Sequence, residues 1–219
     1  MPVNLNDVRR VFERSHQRSE TLLDLHRRLH GQRGRPARIV SDVVRSALVL
    51  SAASLDALVN SALSRSAPEA LRQSVLGESA YSWASKHEGI VIALTAPDPP
   101  AFIERVVQEK LANTTLQNPE AIESNLLGII GCGSPWERSV ELLHPKAVNP
   151  YLVTVDWVQD ELREAIARRH RIAHDADINP GAATAGAAWP IQRQTVETWL
   201  WVIESVGLAT LDVIEEHLN

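Results

Sequence analysis

The sequence predicts an all-α fold, a helical bundle of four long helices with an insertion of shorter helices between the second and the third. Two observations lead to this fold class. Apolar residues recur at three- and four-residue steps through four long segments, which is the spacing of a helix with one buried face. Prolines and glycines separate these segments, and the one strand-like stretch, residues 89–94, would have no partner strand.

The periodicity predicts the long helices over residues 3–31, 37–65, 151–173 and 190–218. Residues 66–150 form an irregular helical insertion. Short helices are expected there near residues 68–74, 78–95, 100–112, 119–130 and 135–143. We expect residues 1–219 to form a single domain, because this length suffices for one hydrophobic core.

The composition, 44% hydrophobic and 22% charged, is typical of a soluble globular protein. The single cysteine, Cys132, has no partner for an intrachain disulfide, which favours a reducing compartment. Its neighbours are glycines and no strand precedes it, so we interpret it as a buried thiol and not as a nucleophile. No apolar run of about 18 residues is evident, and the first residues are charged. We therefore expect a cytoplasmic protein with no membrane partner and no secretory signal.

Charge is distributed unevenly along the chain. Residues 1–38 hold nine arginines and four acidic residues, whereas residues 39–219 hold 13 basic and 23 acidic residues. A basic first helix can lie along nucleic-acid phosphates, but it can equally be a solvated face or an interface with an acidic partner. The acidic remainder argues against a protein that coats nucleic acid without selectivity.

Motifs for metals and cofactors are lacking. The sequence has no His-Glu-x-x-His, no cysteine pair, no phosphate-binding loop and no dinucleotide fingerprint. His26 and His30 are four residues apart, but no third ligand follows at a matching spacing. We therefore predict no metal site and no cofactor.

The strongest candidate site is Arg169-His170-Arg171-Ile172-Ala173-His174, near the end of the third long helix. Arg169 can hold a phosphodiester and His174 can move a proton, which is the chemistry of a ribonuclease that needs no metal. The two side chains lie about 140° apart around an ideal helix, so they converge only if the helix ends or distorts between them. The alternative is that both cap the C-terminal end of the helix and interact with its dipole.

This motif resembles the Arg-polar-x-x-x-His motif of the HEPN superfamily. Ser54 to Asn60 and the segment from Gly131 to Trp136 are similar to the corresponding parts of its RiboL-PSP branch. A closing helix follows the motif, as in that branch. His170 stands where the family more commonly has asparagine.

The resemblance implies a metal-independent endoribonuclease of the toxin or antiviral-defence type, active on RNA as a homodimer whose motifs meet at the dimer seam. His174 would take the proton from a ribose 2′-OH, and Arg169 would hold the phosphate as negative charge builds. His170 would orient the phosphate or protonate the leaving oxygen. Arg168 and Arg171 are expected to face solvent or an RNA backbone. An antitoxin or immunity protein is a further expected partner.

A second hypothesis is a non-catalytic HEPN-like module that binds RNA, nucleotide or an antitoxin or immunity partner without cleaving RNA. The acidic body and the arginine-rich first helix suit such a partner-binding protein equally well. A third interpretation, a helical protein that binds a small molecule, would require a cavity.

Overall fold

A computed structural model describes residues 3–29, 38–72, 97–112, 114–175, 177–179, 181 and 188–219. These residues are predominantly helical and contain no strand, which confirms the all-α class for them. Ile178 and Ala188 form an isolated antiparallel bridge. The strand-like stretch 89–94 and the short helix expected near 78–95 lie outside the described residues.

We number the helices in chain order. They are α1 (Asn6–Leu29), α2 (Arg38–Arg72), α3 (Pro99–Leu111), α4 (Pro119–Asn125), α5 (Trp136–Leu143), α6 (Val155–His174) and α7 (Arg193–Leu218). A π-helical turn, Leu126–Ile130, follows α4, and the 3-10 turns His144–Lys146 and Pro150–Leu152 separate α5 from α6. Apart from the end of α2, the described helices begin and end within a few residues of the predicted limits.

The second helix is longer than the sequence predicted. Pro68 was interpreted as the start of a separate short helix, but α2 continues through it to Arg72. That prediction was wrong because burial continues past the proline. Ala67 and Ala70 are buried in line with Leu63 one turn earlier, and this packing offsets the lost backbone hydrogen bond.

The length and apolar composition of helix α2 differ from what we expected of the sequence. Its segment Val40–Ala70 is long and apolar enough to cross a bilayer by length and composition, contrary to our prediction that no such segment exists. The core helix of a soluble protein passes the same test, and 56% of the most apolar window is buried against the rest of the chain.

Helix α2 packs against α1, α3, α6 and α7, and α7 also contacts α1, α5 and α6. Helices α1 and α7 approach each other closely where Gly207 lies directly against the ring of the buried Phe12. The basic α1 is held to the acidic α7 by Arg9, whose guanidinium pairs with Asp212 at 2.9 Å and Glu215 at 3.1 Å. This arginine of the basic first helix therefore stabilises the fold.

Helix α6 is the element that carries the candidate site. Thr154 caps its first turn by accepting a hydrogen bond from the backbone N–H of Trp157. Val158, Leu162 and Ile166 are buried, as the sequence predicted, and face the core where α2, α5 and α7 pack against this helix. Beyond Ile166 the last turns reach the molecular surface.

Candidate active site at the end of helix α6

Helix α6 is continuous through the whole motif. It runs to His174, and the N–H of Asp175 then donates to the carbonyl of Arg171 over 3.0 Å. The helix therefore neither ends nor distorts between Arg169 and His174, although their convergence in one chain requires this. Within a single chain the two side chains leave the helix about 140° apart.

Arg169 lies at the edge of the core, as its position seven residues after Leu162 predicted. The side chain is half-buried, and its Nε is inaccessible to solvent and has no hydrogen-bond partner within the described residues. A buried guanidinium N–H without an acceptor is costly. The Nε of the neighbouring Arg168 is unpaired in the same way within the described residues, so this feature alone does not mark a ligand site.

The structure instead brings His170 and His174 together. Both residues are exposed, their ring centroids are 5.8 Å apart, and their ring planes differ by 23°. Residues four apart face the same side of a helix, so the spacing alone could have predicted this pair.

Arg168 corrects a further expectation. It was predicted to face solvent or an RNA backbone, but it is 7% exposed and points into the core. Its Nη2 donates to Asp177 Oδ2 at 2.7 Å and to the carbonyls of Trp189 and Pro190 at 3.0 and 3.1 Å. Arg168 is therefore a structural residue, and an RNA-binding role for it is withdrawn.

Arg45 of α2 completes this buried cluster, which we call the Asp177 clamp and define as Arg45, Arg168 and Asp177. Arg45 Nε donates to the same Oδ2 atom at 2.8 Å, and its Nη2 donates to the carbonyl of Trp189 at 2.7 Å. Burial lowers the pKa of the Arg168 guanidinium, and the charge of Asp177 opposes that shift. The clamp ties α2, α6 and the residues before α7 together.

Asp177 adopts a left-handed backbone conformation, with φ 56°. Its backbone N–H donates to the carbonyl of Arg171, and its carbonyl accepts a hydrogen bond from the backbone N–H of Trp189. The backbone of Asp177 thus also connects α6 to the residues before α7. Aspartate is one of the few residues besides glycine that visit this region at modest cost. The chain can therefore turn sharply just after the motif and return to the clamp.

Arg171 is exposed, as predicted, on the same surface as the histidine pair. Whether it contacts RNA stays a prediction. Together Arg169, His170, Arg171 and His174 place two guanidinium groups and two imidazoles within the last two turns of α6. Donors and proton carriers of this kind suit a phosphate ligand.

Several polar residues outside the motif have structural partners. Arg138 pairs with Glu141 and Asp212 at 2.8 and 3.0 Å. Asp56 accepts a hydrogen bond from the backbone N–H of Leu116 at 2.7 Å, which holds α2 to the segment after α3. Cys132 is buried as predicted, and burial raises the pKa of its thiol to about 11, so it is protonated near neutral pH.

In the part of the chain that the structure describes, no group of three or more histidine, cysteine, aspartate or glutamate side chains is arranged to hold a metal ion. Comparison with protein-family models, with curated proteins and with solved structures found no match to this chain.

Proposed function

We propose that this protein is a metal-independent endoribonuclease of the HEPN type. The observation that carries the proposal is the exposed His170–His174 pair, whose ring centroids are 5.8 Å apart, on the helix that also carries Arg169 and Arg171. One imidazole can accept a proton while its neighbour donates one. A helical bundle with four long helices, a toxin or defence role and a cytoplasmic location belong to the same proposal.

The chemistry requires two proton transfers. One imidazole takes the proton from a ribose 2′-OH, and the resulting oxygen attacks the adjacent phosphorus. The second imidazole donates a proton to the departing 5′ oxygen, which leaves a 2′,3′-cyclic phosphate and a 5′-OH. Arginine stays charged at all relevant pH values, so a guanidinium can hold the non-bridging oxygens while negative charge builds. DNA lacks the 2′-OH and should not be cleaved.

Arg169 enters this scheme through a second copy of the chain. Because α6 is unbroken, Arg169 and His174 of one chain point in different directions. A homodimer in which the ends of two α6 helices meet would place the arginine of each chain beside the histidines of the other. The resemblance to HEPN proteins implies this arrangement.

A second candidate is the non-catalytic HEPN-like module, which would bind RNA, a nucleotide or an antitoxin without cleaving RNA. The observation that favours it is the same unbroken helix, because a single chain lacks a converging arginine and histidine. The module would use the exposed Arg171 and the histidines as phosphate donors only.

One experiment separates the two candidates. Total RNA is incubated with the purified chain in EDTA, and the ends of the products are mapped for wild type and His174→Ala side by side. We expect 2′,3′-cyclic phosphate ends that depend on His174. Intact RNA that is nevertheless bound by the wild-type chain would support the binding module, and arrest of host growth on expression would support a toxin.

A further inference from the structure

His170 and His174 have the placement of a chelating pair on a helix. They lie one turn apart on the same side of α6, and both rings are exposed. An exposed ring can rotate about its side-chain bonds with little resistance from neighbours. Neutral imidazole is also the commonest nitrogen ligand for zinc, copper and nickel ions in proteins.

The distance between the two rings is compatible with a shared ion. A zinc ion bonds an imidazole nitrogen at about 2.1 Å, so it lies roughly 3.2 Å from the ring centroid. At a tetrahedral angle, two such rings have centroids roughly 5.2 Å apart. The observed 5.8 Å is close to that value. The ring planes differ by 23°, as in stacked rings, so both imidazoles must turn about their side-chain bonds to aim one nitrogen each at the ion.

The position on the helix also favours a cation. His174 is the last residue of a 20-residue helix, whose C-terminal carbonyls carry partial negative charge. Asp175, which is exposed, follows directly. Arg171 lies three residues before His174 and is its neighbour on the helix surface, so its positive charge opposes a cation there. Because the Arg171 side chain is exposed, its charge is screened by solvent. The partial negative charge of the C-terminal carbonyls and the carboxylate of Asp175 act in the opposite sense.

We propose that His170 and His174 form a reversible two-histidine site for a divalent transition-metal ion such as Zn²⁺, and that the bound ion inhibits the ribonuclease. The inhibition rests on the proposed function, whereas ion binding does not. A metal occupies the nitrogen lone pair that must otherwise accept the proton of the 2′-OH. With two protein ligands, water completes the coordination, so the ion exchanges with solvent. That is how a regulatory ion behaves.

Titration calorimetry of the full chain with ZnCl₂ near neutral pH tests the binding. We expect one ion per chain, and we expect His170→Gln and His174→Gln each to weaken binding by roughly tenfold or more, because one of two ligands is lost. His144→Gln is the matched control: this histidine is exposed and has valine at positions 140 and 148. Equal Zn²⁺ affinity in all three variants and wild type would overturn the site.

Cleavage assays separate this inference from the proposed function. Activity in EDTA that falls as Zn²⁺ is added, with a midpoint near the measured dissociation constant, supports both. Activity that persists under saturating Zn²⁺ overturns the inhibition while leaving the ribonuclease intact. Zn²⁺ binding by a chain that never cleaves RNA overturns the ribonuclease and its inhibition, and leaves the two-histidine site standing.

Discussion

Arg168 and Asp177 form a buried ion pair, 2.7 Å between Nη2 and Oδ2, immediately beside the motif that carries the proposed chemistry. The Asp177 side chain is fully buried, and Arg45 donates to the same oxygen at 2.8 Å. Two guanidinium groups thus share one carboxylate. The rotation of α6 by about 100° per residue turns Arg168 inward, and His170 and Arg171 face solvent.

Replacing Asp177 with asparagine should strongly destabilise the fold. Asparagine tolerates the left-handed backbone conformation, so the main loss is the negative charge between two buried guanidinium groups. Breaking a buried ion pair from one side costs about 3–5 kcal/mol, which should appear as a lower free energy of unfolding in urea. The exposed Asp175→Asn is the control and should change little. Equal urea midpoints for both variants would contradict a stabilising clamp.

Alanine at His174, His170 or Arg169 should each lower RNA cleavage. A positioned general acid or base contributes about a hundredfold or more, so we expect losses of that size for the two histidines. Arg169→Ala should also lower the cleavage rate, because the negative charge of the transition state loses its counter-ion. Cleavage rates in EDTA measure the effect, and thermal melting confirms that each variant is folded. His144→Ala should cleave normally, whereas unchanged rates in the three motif variants would refute the assignment.

Stability should fall as the pH drops below about 6.5, partly because of His16. Burial lowers the pKa of this imidazole. Glu204 raises it and Lys146 lowers it further. Among the residues that the structure describes, neither ring nitrogen has a hydrogen-bond partner, and the nearest carboxylate oxygens, on Glu20 and Glu204, are 3.9 and 3.8 Å away. Below about pH 6.5 the unfolded chain takes up a proton that the folded chain binds only at lower pH, so unfolding becomes easier.

The measurement is the urea unfolding free energy of wild type and His16→Gln between neutral and mildly acidic pH. The variant should lose less stability over this interval, because the group with the lowered pKa is gone. His144→Gln is the control, since that side chain is exposed, and should keep the wild-type slope. Parallel curves for His16→Gln and wild type would exclude His16 as a source of the acid sensitivity.

Gly207→Ala should destabilise the contact between α1 and α7. A Cβ at this position would lie 2.6 Å from Cζ and 2.8 Å from Cε1 of Phe12, which is itself buried. Overpacking of this kind costs about 1–3 kcal/mol, which a thermal melt detects. Gly128→Ala, where no atom lies within 4 Å of the new Cβ, should be nearly neutral. The double variant Phe12→Leu/Gly207→Ala should regain part of the lost stability, because the leucine side chain is smaller than the phenylalanine ring.

Much of the fold could be read from the sequence because helix periodicity is a local property. The apolar stripe of Val158, Leu162 and Ile166 predicted α6 closely, and the short helices expected near residues 100–112 and 119–130 correspond to α3 and to α4 with its π-helical turn. Pro68 misled the prediction, because a local breaker was outweighed by the packing of Ala67 and Ala70.

The site was readable only in part. The spacing of residues identified the motif and the half-buried position of Arg169. The same spacing could also have predicted the His170–His174 pair. The partner of Asp177 could not be predicted, because Arg45 lies 132 residues earlier and no local pattern connects them.

The sequence by itself determined the helices and the chemical groups that the last turns of α6 carry, since both depend on the order of neighbouring residues. The tertiary structure decided which arginine became structural and which stayed available. Arg168 and Arg169 are adjacent and chemically identical, but the turn of the helix points Arg168 inward, where Asp177 and the Trp189 carbonyl accept its hydrogen bonds. A buried guanidinium persists only where the fold supplies its acceptors, and distant parts of the chain supply them.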